Sequence, residues 1–463
     1  MNILDSKDVV IVGNLEKNYP KNWRHSRLFE AISYGISKVL RTDEEMPFNG
    51  IIVPGMTIVI KPNFVAEENY RIPGKWESVL THPAVIAVIA FQAAVSLAGK
   101  GKLIIADAPM TGSSMKKILS NTGIETYLEQ LRSFFPSLDI SLLDLRREEW
   151  NTVNGTVVRR RKLKGDPKGY ALCNLAEKSL FANQDNSKLY GADYDVSELR
   201  VHHNNFRHEY LISKTILEAD FVINLSKMKT HKKGGVTLAL KNFVGINGDK
   251  NYLPHHKEGT PSSGGDEFPM DSNKVSLERK SVSIYRKTML RIPYPFNVPF
   301  TLLKRFSKGF FGDSDTTIRG GSWWGNDTIW RMTLDIQRAF LYARPDGTIA
   351  DTPQRSRYLC ISDGIIAGEG AGPTEPTPKP FGVMAFAVNP VAHDFVCTKL
   401  MGFDPARIPT IARAFSILDL PLIKSTEESI LLSSYDASKD FIHTDFEGLI
   451  SRFEPYIGWK SRL

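Results

Sequence analysis

The sequence predicts an α/β fold built on mainly parallel, Rossmann-like sheets that carry two large insertions. Two observations predict this class: apolar runs of strand length alternate with helical patterns, and polar residues follow these runs. The chain has 463 residues, of which 42% are hydrophobic and 24% are charged. That composition is ordinary for a globular protein with a large core.

The clearest predicted unit is a strand, a helix and a second strand in the first quarter of the chain. The segment GMTIVIKPNFV predicts the first strand and KLIIADAPM the second. Between them, THPAVIAVIAFQAAVSLAGKG predicts a buried helix with Thr81 as its N-cap and Pro83 in its first turn. Such a unit joins two parallel strands through a right-handed crossover.

Further apolar runs predict the remaining strands. DISLLDL, ADFVINL and RYLCISDGII are predicted strands, and FGVMAFAVNPVAHDFVCTKLMGF predicts a strand that leads into a helix capped by Asn389. These segments divide the chain into four portions. They are an N-terminal α/β portion (1–150), an irregular insertion (151–210), a core α/β portion (211–247 and 331–463) and a basic, aromatic-rich insertion (248–330).

Polar side chains follow the predicted strands at their carboxyl ends. They are Lys61, Asn63, Asp107, Lys227, Lys229, His231, Asp363, Glu369, Asn389 and Asp394. Ligands of open parallel sheets bind outside the carboxyl ends of the strands. We therefore expect these side chains to converge on one site, while the order of the strands stays open.

The segment NLSKMKTHKKGGVTLALKNFVGI, residues 224–246, carries five lysines and one histidine around a Gly-Gly step. We predict that a strand stops at Ser226, that a lysine-rich turn follows, and that an amphipathic helix begins after Gly235. A strand end, a basic turn and a helix N-terminus together favour an anion site. The alternative is a solvated lysine loop, and the GxxxxGK[ST] spacing of a P-loop is absent.

Other strand ends carry candidates for acid/base chemistry. His82 begins a helix, Asp107 ends a strand, and Asp394 lies near a helix N-terminus. Asp363 and Glu369 lie in a glycine-rich segment, where they could hold a divalent cation. Each has a structural alternative: a capping histidine, a turn-forming aspartate, or a glycine-rich turn with a capping acid.

The segment DTTIRGGSWWGNDTIWRM concentrates aromatic and polar side chains. Arg319, Trp323, Asn326 and Asp327 lie in it. This combination suits a carbohydrate or another polyhydroxylated ligand, because rings stack on sugars while amides and acids bind hydroxyls. The alternative is an edge of the core, with tryptophans packed beneath a loop.

The positive charge of the chain is concentrated between Lys274 and Lys308. This segment has nine lysines and arginines and one acid, Glu278, so it accounts for the whole formal net charge of +8. Basic residues alternate with apolar and aromatic ones across 274–311, which favours docking on an anionic membrane surface. Nucleic acid is disfavoured because no nucleic-acid-binding motif appears. An ordinary structural insertion is the third interpretation.

The cysteines and the apolar runs exclude several classes. Cys173, Cys360 and Cys397 are widely spaced, so they offer neither a disulfide framework nor a CxxC motif. No window reaches the roughly 18 uninterrupted apolar residues of a spanning helix, and the N-terminus has no secretion signal. We expect a cytoplasmic protein, peripheral on the inner face of the membrane if the basic insertion docks there.

Seven segments together resemble the successive blocks of a known family. They are IKPNFV, THPAVI, LIIADAP, ADFVINLSKMKTH, GVTLALKNFVGI, ISDGIIAGEGAGP and GVMAFAVNPVAHDFVCTKLMG, in this order between about residues 50 and 415. In these segments the chain resembles the domain of unknown function 362 family. The family motifs fall on Lys61, Asn63, His82, Asp107, Lys227, Lys229, His231, Lys241, Asn242, Asp363, Gly370 and Asp394.

The resemblance implies a fold and a shared site but no particular reaction. Some members of the family carry ferredoxin-like cysteine clusters, which this chain lacks, so we expect no iron–sulfur cluster. The segment RGGSWWGNDTIWRM resembles a subgroup associated with bacterial polysaccharide-type genes.

These observations favour a bacterial enzyme that acts on a phosphorylated or otherwise anionic substrate, carbohydrate-like or lipid-linked. The lysines and His231 would hold the anion. The aspartates would supply acid/base chemistry or a divalent cation, with His82 or His231 as the proton carrier. A dinucleotide oxidoreductase is disfavoured because no GxGxxG follows a strand. The alternative is a non-catalytic, membrane-surface assembly or binding factor of polysaccharide-type pathways.

Overall fold

A computed structural model describes residues 2–153, 156–191, 196–271, 292, 296–299 and 318–463. The segment 274–311, for which we predict membrane docking, therefore lies outside the described residues except for a few positions.

The described residues form sixteen strands. They are β1 (Asp8–Gly13), β2 (Thr57–Lys61), β3 (Lys102–Asp107), β4 (Asp139–Asp144), β5 (Glu148–Val153), β6 (Thr156–Lys162), β7 (Tyr170–Asn174), β8 (Leu189–Tyr190), β9 (Glu209–Ser213), β10 (Phe221–His231), β11 (Gly235–Thr237), β12 (His256–Lys257), β13 (Tyr358–Ala371), β14 (Glu375–Ala387), β15 (Leu431–Asp436) and β16 (Ile442–His443).

Ten α-helices accompany these strands in the part of the chain that the structure describes. They are α1 (Arg27–Leu40), α2 (Pro83–Leu97), α3 (Met115–Thr122), α4 (Ile124–Phe134), α5 (Val196–His202), α6 (Lys214–Leu217), α7 (Ala239–Asn242), α8 (Ile329–Tyr342), α9 (Pro390–Leu400) and α10 (Pro409–Ala412).

One large sheet dominates the molecule, which confirms the predicted α/β class. Its strand order is β16-β15-β1-β14-β13-β10-β2-β3-β4, and β11 pairs with β10 beside this path. The neighbours from β13 through β10, β2 and β3 to β4 are all parallel, as are β1 and β15. Strand β14 runs antiparallel to both of its neighbours, so the sheet is mainly but not wholly parallel.

The strand order places a topological switch point between β2 and β10. From β2 the chain proceeds to β3 and β4 on one side, whereas from β10 it proceeds to β13 and β14 on the other. Connections that leave adjacent parallel strands in opposite directions open a crevice at the carboxyl ends of those strands. At this switch point Lys61, the last residue of β2, lies beside Asn224 of β10, and β10 continues from there to His231.

Helix α2 is the buried core helix that its sequence predicts. It is apolar around its whole circumference, as expected for a helix without a solvent face. The predicted N-cap is wrong by one residue: His82 Nδ1 accepts a hydrogen bond from Ala84 N at 3.1 Å. Thr81 instead joins two strands, because its hydroxyl accepts from Asn63 N at 2.9 Å and donates to Leu225 O at 3.0 Å.

The basic segment after β10 differs from its prediction. Strand β10 does not stop at Ser226 but continues to His231 and pairs with β11 in a hairpin, so Lys227, Lys229 and His231 are strand residues. Gly235, at φ 79°, follows the tight turn. In place of one long helix, the chain forms β11, the four-residue helix α7 and a 3-10 turn at Phe243–Ile246.

The described residues contain no helix that is long and apolar enough to cross a lipid bilayer. The segment 274–311 lies largely outside these residues.

Candidate functional site

A buried ion pair joins the ends of β2 and β3. Lys61 Nζ lies 2.6 Å from Asp107 Oδ1, and the two side chains are 1% and 3% exposed. Asp107 also accepts hydrogen bonds from Phe64 N at 2.6 Å and Ala108 N at 2.8 Å. The carboxylate therefore ties the loop that follows β2 to its own strand end.

Three asparagines extend this pair into a buried network. Asn242 Oδ1 accepts from Lys61 Nζ at 3.0 Å and from Asn63 Nδ2 at 2.8 Å. Asn242 Nδ2 donates to Asn224 Oδ1 at 2.7 Å, and Asn63 Oδ1 accepts from Lys229 Nζ at 2.8 Å. The five amide atoms just described each have a partner, so the network holds both lysines in defined positions.

Lys229 is a fully buried lysine without a carboxylate partner among the described residues. Its ammonium donates to Asn63 Oδ1 and to Val79 O. Burial is the main cause that lowers the pKa of Lys229 well below its ordinary value, and the charge of Lys227 lowers the pKa further. A buried charge without a counter-ion is costly, so this position favours either the neutral amine or a bound anion.

Lys241 is the partly exposed lysine of the crevice. Its Nζ makes no hydrogen bond or ion pair with any residue that the structure describes. Burial, then the charges of Lys233 and Lys61, lower the pKa of Lys241 to about 7. A lysine in this state exchanges a proton near neutral pH and faces solvent through its exposed part.

Lys250 lies near Lys61 and Lys241, whose charges act on its ammonium. Its ammonium donates to Val244 O and Asn247 O, each at 3.1 Å, and burial lowers its pKa to about 7. We call Lys61, Lys229, Lys241 and Lys250 the lysine cluster. Within the described ranges, Asp107 is the one carboxylate that forms an ion pair with a member of this cluster.

His231 lies at the end of β10 beside the lysine cluster. Its Nδ1 accepts from the backbone N–H groups of Lys233 and Gly234, both at 3.1 Å. Burial lowers the pKa of His231 well below its ordinary value, followed by the charges of Lys241 and other lysines. The turn after His231 is held from outside by Trp459, whose Nε1 donates to Lys232 O at 2.9 Å.

A second buried group surrounds Lys227. Lys227 Nζ lies 2.9 Å from Asp363 Oδ2 and donates to the hydroxyl of Tyr19 at 2.6 Å. The Tyr19 hydroxyl in turn donates to Asp363 Oδ1 at 2.7 Å. Lys227 and Asp363 are both fully buried, so this triangle of charges and hydroxyl is closed to solvent.

The ring of His82 is stacked between two aromatic side chains next to this triangle. Its centroid lies 3.7 Å from that of Tyr19 and 5.3 Å from that of Trp76, and the stacked rings are nearly parallel. The backbone N–H of His82 donates to Asp363 Oδ2 at 3.1 Å. Burial and the charge of Lys227 lower the pKa of His82 well below its ordinary value.

Asp394 and Glu369, predicted as acid/base or cation-binding residues, have structural partners. The Asp394 oxygens accept from Ala239 N at 2.8 Å and Leu240 N at 2.9 Å, so they occupy the N-terminus of α7. A carboxylate of the chain therefore already occupies the helix N-terminus that we predicted as one part of the anion site. His393 Nδ1 also lies 2.8 Å from Asp394 Oδ1, although adjacent helical residues usually diverge.

The structure does not bring Asp363 and Glu369 together. Glu369 pairs with Lys379 at 2.9 Å, whereas Asp363 pairs with Lys227. Each of the two carboxylates therefore has its own lysine partner. Nowhere in the described residues are three or more His, Cys, Asp or Glu side chains grouped so that they could hold a metal ion.

The predicted sugar-binding residues take part in a local network beside the crevice. Asn326 Oδ1 accepts from Ile329 N at 2.9 Å, and Asp327 pairs with Arg331 at 2.9 Å. Trp323 Nε1 donates to Asp266 O at 2.8 Å. Trp323 and Asn326 are thus mostly buried, which is the structural alternative that the sequence left open.

Part of the chain that contains this site matches a known protein family. Residues 178–399 match the family model described as "Domain of unknown function (DUF362)". This match covers just under half of the chain. The resemblance read from the sequence blocks is therefore confirmed.

A curated relative has a related sequence. The chain is 24% identical over 361 residues to the "Thylakoid-associated protein sll1697" of Synechocystis sp., an alignment that covers 78% of this chain and 68% of that protein. The matched DUF362 region contains β10, α7 and β13 but not β2 and β3. The site is therefore shared between the DUF362 region and the residues that precede it.

The sequence did not identify several residues of the site next to the DUF362 motifs. Tyr19 and Trp76 lie outside the recognised blocks, and Lys250 and His255 follow the block GVTLALKNFVGI. Burial, then the charges of Lys233 and Lys241, lower the pKa of His255 well below its ordinary value. The abundance of Lys and His in NGDKNYLPHH was the one available signal for Lys250 and His255.

Substitution of Gly245 tests the packing of the ion pair. A Cβ at Gly245 would lie 2.1 Å from Asp107 Oδ1 and 2.6 Å from Lys61 Nζ. We expect Gly245→Ala to lower the free energy of unfolding by about 1–3 kcal/mol, measured by urea denaturation. Gly448→Ala is the matched control, because its Cβ would meet no atom within 4 Å. Equal stability of the two variants would contradict the close approach.

Proposed function

We propose that the protein is an enzyme that binds a phosphorylated or otherwise anionic small-molecule substrate at the lysine cluster. The observation that carries this proposal is the imbalance of charge: four lysines, three of them buried, lie close together with one ion-paired carboxylate among the described residues. Structural lysines are rarely buried without a partner. The position at a switch point of the sheet supports a ligand there.

The physical reason is the cost of buried positive charge. Moving an ammonium group out of water is unfavourable by several kcal/mol unless a counter-charge or hydrogen bonds compensate. Asp107 compensates Lys61, whereas carbonyl and amide oxygens serve Lys229 and Lys250. An oxyanion between these groups would supply the missing negative charge and favour the protonated forms of Lys229 and Lys250.

Lys241 supports catalysis rather than binding alone. With a pKa of about 7, its amine is partly neutral at physiological pH and can accept a proton from a bound substrate. A lysine that served only as a surface charge would keep its ordinary pKa of about 10.4. Lys61, positioned by Asp107 and Asn242, would orient the anion.

A hydroxyl-rich, carbohydrate-like or lipid-linked substrate is supported by the segment that borders the crevice. A Cβ at Gly320 would lie 3.8 Å from Lys233 Nζ, so the tryptophan segment adjoins the basic turn. Trp324 of that segment is 41% exposed and offers a ring face to a sugar.

The proposal predicts that oxyanions stabilise the protein. At a phosphate or pyrophosphate concentration of about 100 times Kd, binding would stabilise the folded state by about 2.7 kcal/mol. We expect a rise in melting temperature of several degrees in differential scanning calorimetry at pH 6.5, against chloride of equal ionic strength.

Variants of the cluster localise this effect. Lys229→Met and Lys241→Met should remove the rise, because each deletes one charge while keeping an apolar stem. The exposed Lys117→Met is the matched control and should retain the full rise. An anion effect that persists in both cluster variants would refute the site.

The stability of the unbound protein should also depend on pH, because the charge of Lys241 opposes folding. Its pKa is about 7 when folded and about 10.4 when unfolded, so the charge opposes folding fully below pH 7. As the pH rises from 7 towards 9, the folded state releases this proton and the penalty shrinks. Lys241→Met should therefore be more stable than the native protein by roughly 1–2 kcal/mol at pH 6.

Thermal unfolding of both proteins in phosphate-free buffer at pH 6, 7, 8 and 9 measures this difference. The difference in stability between Lys241→Met and the native protein should decrease steadily from pH 7 upwards. A gap that is independent of pH, or a variant less stable at pH 6, would show that Lys241 is an ordinary solvated lysine.

A second candidate function is a non-catalytic factor that assembles or binds at a membrane surface in a polysaccharide-type pathway. Two observations favour it: the aligned relative is named as thylakoid-associated, and nine of the chain's basic residues lie between Lys274 and Lys308. Basic and aromatic residues in one segment suit anionic headgroups and the membrane interface.

Flotation with liposomes tests this candidate. We expect the full chain to float with vesicles that contain anionic lipid and to remain at the bottom with neutral vesicles. Binding should weaken in high salt and disappear when the nine basic residues of 274–308 are changed to glutamine. Salt-insensitive flotation, or none, would count against peripheral docking.

A further inference from the structure

We infer that His231 and His82 face the substrate as uncharged N–H donors and that Lys241 takes the proton. This inference deepens the proposed function and rests on it. It restricts the substrate to an anion whose acceptor oxygens point at two imidazole N–H groups.

The hydrogen bonds of His231 determine its tautomer. Nδ1 accepts from two backbone N–H groups, those of Lys233 and Gly234, both at 3.1 Å. A nitrogen that accepts from an N–H group carries no proton itself, so the proton of the neutral ring is on Nε2. The ring therefore presents Nε2–H as its remaining polar group.

His82 repeats this arrangement on a different element. Its Nδ1 accepts from Ala84 N at 3.1 Å as the N-cap of α2, so its proton is also on Nε2. Stacking between Tyr19 and Trp76 prevents the ring from turning to exchange its nitrogens. Two unrelated segments thus hold histidines in the same tautomer near one crevice.

Protonation of either ring would break this geometry. An imidazolium carries hydrogens on both nitrogens, so its Nδ1–H would meet the N–H groups that it now accepts from. The positive charges around each ring also disfavour its protonation. Lys241, Lys233, Lys229 and Lys232 surround His231, and Lys227 faces His82.

The nearest carboxylate does not offset this charge. Asp363 lies against the backbone N–H of His82, but Lys227 and the Tyr19 hydroxyl already bind its two oxygens. Both histidines consequently have pKa values well below the ordinary range, chiefly because they are buried.

These donors have a chemical role that differs from that of a proton carrier. A neutral imidazole is a weak acid, so it stabilises an oxyanion by donating a hydrogen bond without giving up its proton. The proton of the substrate passes to the neutral amine of Lys241, and its electron pair remains on the substrate. An oxygen that bears this developing charge would lie against Nε2–H.

Nitrogen NMR of the full chain, labelled with 15N in histidine, tests the tautomers. The signals of His231 and His82 are assigned from His231→Asn and His82→Asn, since asparagine can still accept the backbone hydrogen bonds. We expect both rings to show the Nε2–H pattern without change from pH 5.5 to 8. The exposed His25 and His443 provide internal reference signals from histidines that face solvent.

Titration with inorganic phosphate at pH 7 completes the test. Phosphate should shift the Nε2–H signal of His231 while the tautomer pattern persists. Lys241→Met should raise the apparent Kd for phosphate, obtained from that shift, at least tenfold. Titrating rings, or an Nδ1–H pattern, would overturn the inference even if phosphate binds at the lysine cluster. Persistent Nε2–H patterns without any response to phosphate would overturn the anion site and with it the substrate-facing role.

Discussion

The cost of burying several ammonium groups beside one carboxylate is the constraint on which the site depends. Lys61 is compensated by Asp107, and that ion pair sets the ends of β2 and β3 against the 3-10 turn that contains Gly245. Around it the protein supplies only neutral acceptors, such as Asn63 and Asn242. The other lysines of the cluster have no carboxylate partner among the described residues, and the anion binding that we propose would supply the missing negative charge.

The two buried groups of the crevice differ in the way they are completed. Around Lys227 the chain supplies its own anion, since Asp363 and Tyr19 satisfy the ammonium within a closed triangle. Around Lys241 it supplies none that the structure describes. The group around Lys227 therefore positions His82, whose backbone N–H donates to Asp363. The group around Lys241 is the one that a bound anion would complete.

The periodicity of the sequence predicted the sheet and its strand ends because buried parallel strands are continuous apolar runs. The convergence of Lys61, Asn63 and Asp107 followed from the geometry of parallel sheets. The path after Ser226 could not be predicted, because the β10–β11 hairpin depends on partners far along the chain, such as Asp394 at α7. Tyr19 was missed for the same reason: no local pattern reports a contact made across the fold.

The hydrogen bond from Tyr19 to Asp363 spans 344 positions of the chain. Contacts between such distant segments close late in folding, because the loop entropy they cost must first be offset by nearer pairings. Lys61 and Asp107, on neighbouring strands of one β-α-β unit, can meet much earlier. The ion pair between Lys61 and Asp107 would thus form in partly folded chains. The contact between Tyr19 and Asp363 would be among the last to close.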